Sequence, residues 1–365
     1  MTTTDNQPTT TKSNAPVSGV HTVQATPDFP DSLGEGRKQG HGDIGRVPVA
    51  VLAAAPPWRP LAADRSVRRP VIALPDSGVE QHPWLDGTPG DPVVLDAGNR
   101  YWQPPSNLVT SDSRPYRGHA TFVAGVIRQL APDCQLLSAR VMGDNGAVQG
   151  DASLGVLTHL ADRVTSGDPD QFVDVVCLAY GFQPGSPPSF DDQSHIDALR
   201  AQFERLVGAN VLVVMSAGNY GDSSKTYPAA FAAESALASN VVSVGATNPD
   251  GSYAYYASWG PWVTYQAIGS GVISTMPRFN GSMSAEPLEV TNEAPYPDPK
   301  GVLIDPDNFE DGFARWSGTS FSAATVAGLL GRALAADPAP PGPERTARAL
   351  AAIRGQQTHW NKDPA

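Results

Sequence analysis

The chain has 365 residues, of which 40% are hydrophobic and 17% charged, and a formal net charge of −12 at pH 7. It is too apolar for a chain that stays disordered throughout, and long enough for one large α/β domain or two ordinary ones. Its acidic balance excludes a sequence-independent nucleic-acid binder, which needs a basic stripe to displace counterions from phosphates, and no run approaches the roughly 18 apolar residues of a membrane span.

In chain order, residues 1–14 are threonine-rich and lack an apolar stretch behind a basic start, so no secretory signal is read and a cytoplasmic location is expected. Residues 1–69 are expected to be a polar N-terminal arm or linker, partly disordered, with a possible strand over 47–55 that Pro56-Pro57-Trp58-Arg59-Pro60 breaks. Val71-Ile72-Ala73-Leu74 is a continuous apolar run of the kind found in strands buried on both faces. The pattern then alternates. Helices are predicted over 118–130, 152–164, 195–207 and 322–336, and strands over 136–142, 173–178, 211–215 and 241–244. This order predicts an α/β domain over 70–336, with a mostly parallel central sheet and helices on both faces. Sites in such sheets gather beyond the carboxyl ends of the strands. A proline-rich, acidic stretch at 276–314 reads as a loop insertion, and 337–365 as a proline-rich linker, a short helix over 345–354 and a tail. Cys134 and Cys177, the only two cysteines, lie in apolar runs and read as buried thiols rather than a disulfide or metal pair.

Four segments place small residues around one reactive side chain. Val71 to Val79 is an apolar strand that ends in Asp76 and a Ser-Gly turn. Such a strand can hold a carboxylate rigidly enough to orient a histidine, although a turn-forming Asp is the simpler use. Gly118-His119-Ala120-Thr121 puts a histidine in the first turn of a helix whose small neighbours allow close approach, a position equally suited to a local hydrogen bond. Ser320, in Trp316-Ser317-Gly318-Thr319-Ser320-Phe321-Ser322-Ala323, sits at a helix N-terminus whose orphan N–H groups can bind developing negative charge; alone it could be a capping serine. Asn219, in Ser216-Ala217-Gly218-Asn219, follows a buried strand and could donate to an oxyanion, or simply shape its turn.

Together, in the order Asp76, His119, Ser320, these segments resemble the subtilisin-like serine peptidases. The likeness extends through Val242-Ser243-Val244-Gly245-Ala246-Thr247 and Ile273-Ser274-Thr275, and covers residues from about 70 to 336. It implies a three-layer subtilisin-like fold and a serine endopeptidase. In it Asp76, His119 and Ser320 form the triad, Asn219 completes the oxyanion hole, and an acyl-enzyme is the intermediate. It also implies a peptide or protein substrate that pairs along Ala179-Tyr180-Gly181, where Ala-Tyr replaces the family's usual Ser-Leu. Ala324 stands in place of the usual proline, Thr325 in place of a common histidine, and Pro75, which cannot donate a backbone hydrogen bond, predicts an altered strand end.

No cofactor is required for this chemistry. Asp305, Asp307, Glu310 and Asp311 offer oxygen ligands for a structural calcium without a specific motif. No nucleic-acid or membrane partner is expected, and oligomeric state is not readable. The alternative is a catalytically weak or inactive peptide-binding module of the same fold, against which the four intact site residues weigh. A sedolisin-type acid peptidase would need a glutamate where His119 stands.

Overall fold

A computed structural model describes residues 23–24, 46–59, 68–97, 116–144, 146–185, 189–278 and 309–354. In chain order the strands and helices are β1 (Val23–Gln24), β2 (Val47–Pro48), β3 (Val71–Asp76), β4 (Val94–Asp96), α1 (His119–Leu130), β5 (Gln135–Arg140), β6 (Ala147–Val148), α2 (Gly150–Thr165), β7 (Val175–Leu178), α3 (Phe190–Gly208), β8 (Leu212–Ser216), β9 (Val241–Thr247), β10 (Tyr265–Ile268), β11 (Val272–Thr275), β12 (Phe313–Trp316), α4 (Thr319–Ala336) and α5 (Pro343–Arg354). Seven strands form one parallel sheet in the order β10-β9-β8-β7-β3-β5-β4. Helices α1 and α4 pack together as one layer and α2 and α3 as another, which gives a three-layer α/β architecture.

The runs of Val, Ile and Leu in β3, β7 and β8 are buried at every position, as expected where both sheet faces are covered. α4 reads as apolar and small on nearly all sides because it packs between the sheet and its neighbouring helices. At Gly331 a methyl group would come within 2.7 Å of Ile72 Cδ1, so glycine is what allows this approach.

β3 runs without a break to Asp76, with Pro75 in register opposite Ala139. Toward β5 the strand end is undisturbed, whereas pairing with β7 stops short of Pro75, and the difference lies in the alternation of the ladder. Val71 O accepts from Asp174 N on the β7 side, so odd-numbered residues of β3 face β7. Pairing with β7 covers only Ile72 and Ala73, and the missing N–H of Pro75 falls beyond it.

Several elements begin earlier than apolar periodicity indicates. α3 starts at Phe190 because Ser189 and Asp192 form a reciprocal capping box, a polar signal outside the hydrophobic pattern. The strand predicted at 47–55 is limited to Val47–Pro48, which pairs with β12 in a small antiparallel sheet of order β11-β12-β2. The chain then continues as an irregular strap, held where Arg128 Nη2 donates to Pro56 O at 2.7 Å and where Trp58 lies under the Arg69 guanidinium at 3.9 Å. Residues 279–308 of the expected insertion lie outside the described residues. Its two ends meet where Met276 N donates to Gly312 O at 2.7 Å. Among the described residues no helix is long and apolar enough to cross a membrane.

α5 is docked, with Ala349, Leu350 and Ile353 buried against the rest of the domain. Its Arg345 reaches the amino-terminal edge of the sheet, where Asp174 accepts from Arg345 Nη1 at 2.7 Å, Arg68 Nη2 at 2.7 Å and Val71 N at 2.8 Å. The Asp174 side chain is only 2% exposed, so one carboxylate joins β3, the residues before it, β7 and α5. Removing one partner of a buried ion pair leaves the other charge uncompensated. Asp174→Ala is expected to lower unfolding free energy by about 3–5 kcal/mol in denaturant titrations, whereas Asp197→Ala, at a solvent-exposed pair, should change it by less than about 1 kcal/mol.

Candidate active site

The carboxyl ends of β3, β7 and β8 lie side by side, with Leu178 in register with Met215. The residues that leave these strands converge there, as the rule for open parallel sheets requires. Asp76 ends β3 and is 1% exposed. His119, the first residue of α1 and 2% exposed, places Nδ1 at 2.9 Å and 3.0 Å from the two Asp76 carboxylate oxygens. A carboxylate only accepts, so Nδ1 carries the proton and Nε2 of the neutral ring presents its lone pair.

The start of α1 is held by the turn that follows the aspartate. Gly118, the residue before the helix, has φ of 84° and no side chain with which to cap it. Ser77 supplies the cap instead: its Oγ accepts from Ala120 N at 3.0 Å, while its own N donates to Asp76 Oδ1 at 2.6 Å. One residue thus fixes both the carboxylate and the helix that bears the histidine. Sequence reasoning passed over Ser77, whose signal was its place between Asp76 and a glycine. The imidazole is further bounded by Trp316 at 5.5 Å, Phe321 at 5.7 Å and Tyr116 at 6.2 Å between ring centroids.

Ser320 is the second residue of α4 and 4% exposed. Its Oγ donates to Ala179 O at 2.9 Å, and among the described residues no hydrogen bond joins it to His119. Asn219 follows β8 and is tied to the same helix start: its Oδ1 accepts from Thr319 N at 2.9 Å and from Thr319 Oγ1 at 2.7 Å. With Oδ1 engaged, the amide offers Nδ2 as its donor. Thr319 is a second residue that sequence reasoning did not single out. It acts on Asn219 through contacts between residues 100 positions apart, and no local pattern signals them.

Of the segment 179–181, Ala179 directs its carbonyl at Ser320, while Tyr180 turns inward. The Tyr180 hydroxyl lies 2.9 Å from Ser153 Oγ of α2, and burial pushes its pKa up. The tyrosine ring is therefore part of the packing between sheet and helix. Gly181 abuts Thr226 and Tyr227. Cys134 and Cys177 are buried free thiols, and burial raises both pKa values. Asp305 and Asp307 of the acidic set lie outside the described residues, whereas Glu310 and Asp311 lie within them. Among the described residues no three His, Cys, Asp or Glu side chains converge as a metal site.

A parallel α/β fold with a buried Asp-His pair beside the start of α4 is similar to the serine peptidases of the subtilisin type, and the family comparison shows that relationship. Residues 68–354 match the model of the Subtilase family. Over 232 residues the chain is 28% identical to subtilisin BL of Lederbergia lenta, covering 59% of this chain and 71% of that protein. Over 263 residues it is 27% identical to an alkaline protease of Alkalihalobacillus alcalophilus, covering 66% of this chain and 59% of that one. A crystal structure of a lanthipeptide protease superposes with a TM-score of 0.55 at 19% identity, over 79% of this chain and 87% of that chain. The chain belongs to the subtilase family, and its class is that of the serine-type endopeptidases.

Beside the site, His82 braces the loop after Asp76 against the residues leading into β12. Its Nδ1 accepts from Trp84 N at 3.0 Å and its Nε2 lies 2.9 Å from Gly312 O, which it meets as a donor. Both bonds are satisfied only by the neutral ring, because a proton on Nδ1 would face the Trp84 N–H. Burial, the largest cause, lowers the His82 pKa below the ordinary 6.5. The unfolded chain therefore takes up this proton first, so the stabilisation is complete above about pH 6.5 and declines as pH falls toward the lower folded value. His82→Gln is expected to flatten that part of the stability–pH curve, measured by chemical denaturation from pH 7.5 to 5.

Proposed function

We propose that the chain hydrolyses peptide bonds in a peptide or protein substrate, with Ser320 as nucleophile, His119 as general base and acid, Asp76 as the orienting carboxylate and Asn219 as an oxyanion donor. The observation that carries this reading is the buried, two-pronged contact of the Asp76 carboxylate with His119 Nδ1. It selects the tautomer whose Nε2 can take a proton, in a site whose nucleophile candidate heads a helix.

In the first step Ser320 Oγ rotates from the Ala179 carbonyl toward His119 Nε2, gives up its proton there and attacks the substrate carbonyl. Catalytic hydrogen bonds commonly form only when substrate is bound, so the bond to Ala179 belongs to the resting arrangement. The imidazolium that results is stabilised by Asp76 and protonates the leaving amine. The oxyanion of the tetrahedral intermediate meets Asn219 Nδ2 and the backbone N–H of Ser320 at the positive end of α4. Collapse leaves an acyl-enzyme on Ser320 Oγ, which water hydrolyses with His119 again acting as base.

A fluorophosphonate probe is expected to label the purified protein covalently, and Ser320→Ala to abolish the labelling; labelling of the alanine variant would remove Ser320 from the nucleophile's role. Failure of the parent to label at all would favour a peptide-binding module without catalysis. Asn219→Ala should leave the probe-reactive serine in place and lower kcat by about 10² to 10³ fold, as loss of a single oxyanion donor does elsewhere. Steady-state hydrolysis of a peptide anilide measures that drop.

A further inference from the structure

The match to the family begins at residue 68, yet a segment well ahead of it reaches the layer of side chains around His119. β2 pairs antiparallel with β12, with Val47 opposite Arg315 and Pro48 opposite Ala314. Continued by one residue, that register sets Arg46 opposite Trp316, and directly opposed residues of an antiparallel pair share a face. The Arg46 guanidinium accordingly lies over the Trp316 ring at 5.9 Å and over the Phe309 ring at 5.1 Å from its centroid. Its Nη1 donates to the Arg117 carbonyl oxygen.

Both contacts bear on the histidine. Arg117 stands two positions before His119, in a turn closed where His119 N donates to Tyr116 O at 3.0 Å. Gly118, between them, has φ of 84° and adds no side chain to hold that turn. Trp316 is 8% exposed and stands nearly perpendicular to the imidazole, at an interplanar angle of 89° and 5.5 Å between centroids. Asp76 grips the ring at Nδ1 alone, whereas the atom that must meet Ser320 is Nε2, on the far side. A tilt about the Asp76 contact would carry Nε2 away from the serine, and the indole wall opposes it. The indole packs on Phe122 at 5.7 Å and Phe321 at 5.3 Å, and the strap adds a cation over the ring, an attraction that strengthens when the pair is shielded from water.

We propose that Arg46 is a positioning residue for His119. From a strap ahead of the residues that match the family, it braces the backbone turn that delivers the histidine and the aromatic wall on which the ring rests. This rests on the serine-peptidase reading above, in which His119 Nε2 exchanges a proton with Ser320. The strap is then a working part of the enzyme and stays with it in the active form.

The test compares the parent, Arg46→Met, Arg46→Lys and Trp58→Leu by hydrolysis of a peptide anilide. Each rate is divided by the concentration of sites that a fluorophosphonate labels at completion, so that unfolded protein does not count. Arg46→Met keeps the stem but loses the charge and the donor. It should lower kcat and kcat/KM together by roughly 10 to 100 fold, since a misplacement of about 1 Å costs up to 10² fold. Arg46→Lys should recover part of that loss, because an ammonium can meet the carbonyl or the rings but lacks the planar fork that serves both. Trp58→Leu loosens the other end of the strap and should lower the unfolding midpoint while leaving kcat per labelled site at the parent value. Mass analysis of the labelled parent should find Arg46 retained.

An unchanged kcat per labelled site in Arg46→Met overturns the proposal and leaves the serine-peptidase reading standing. So does a change in KM alone, an equal fall in kcat in Trp58→Leu, or a labelled, active parent whose chain begins after residue 46. If Arg46→Met does not fold, Arg46→Lys decides: a kcat per site equal to the parent's overturns the proposal. A parent that does not label at all defeats both readings together.

Discussion

The contact between Asp76 and His119 is the constraint around which the rest is arranged. A carboxylate that is 1% exposed must be paired and hydrogen-bonded, and Asp76 meets that requirement with the imidazole Nδ1 and the Ser77 N–H. Its position is set by β3, a strand flanked by β5 and β7 and covered on both faces. Rigid delivery of this kind suits a group that must hold a tautomer and a ring orientation. The histidine in turn depends on α1 beginning where it does, and that start depends on a cap from Ser77 rather than from within the helix.

The Ser320 side of the site is organised by the same economy. Thr319 satisfies the start of α4 with Asn219 Oδ1 and so leaves the amide nitrogen as the available donor. β7 contributes the Ala179 carbonyl, β8 the turn bearing Asn219, and β12 the chain leading into α4. At the opposite edge of the sheet, Asp174 and its two arginines tie α5 and the residues before β3 to the central strands. The domain therefore extends past the proline-rich stretch after α4, and the family match likewise continues to residue 354.

Much of this was legible in the chain itself. The apolar runs at 71–74 and 211–215 are central strands because only a sheet covered on both faces accepts such runs, and the small-residue pattern from Ser322 to Ala336 is the buried helix it looked to be. Element starts were less legible, since capping by Ser189 and Asp192 is polar and lies outside hydrophobic periodicity. The inward turn of Tyr180 was not legible either. A tyrosine after a strand can face solvent, substrate or core, and here Ser153 on a helix from another part of the chain settles it.

What the sequence determined by itself was the cast: an α/β domain, an acidic chain, and Asp76, His119, Asn219 and Ser320, each set among small residues that permit close approach. Those features are local, carried by composition, period and neighbour size. Tertiary structure alone decided how they act on one another. Ser77 caps a helix 43 positions away, Thr319 orients an amide 100 positions away, and Thr226 packs between Gly181 and Gly218, which follow different strands. Such contacts depend on which strand ends lie side by side, and in a parallel sheet that adjacency is set by crossovers rather than by neighbours in the chain.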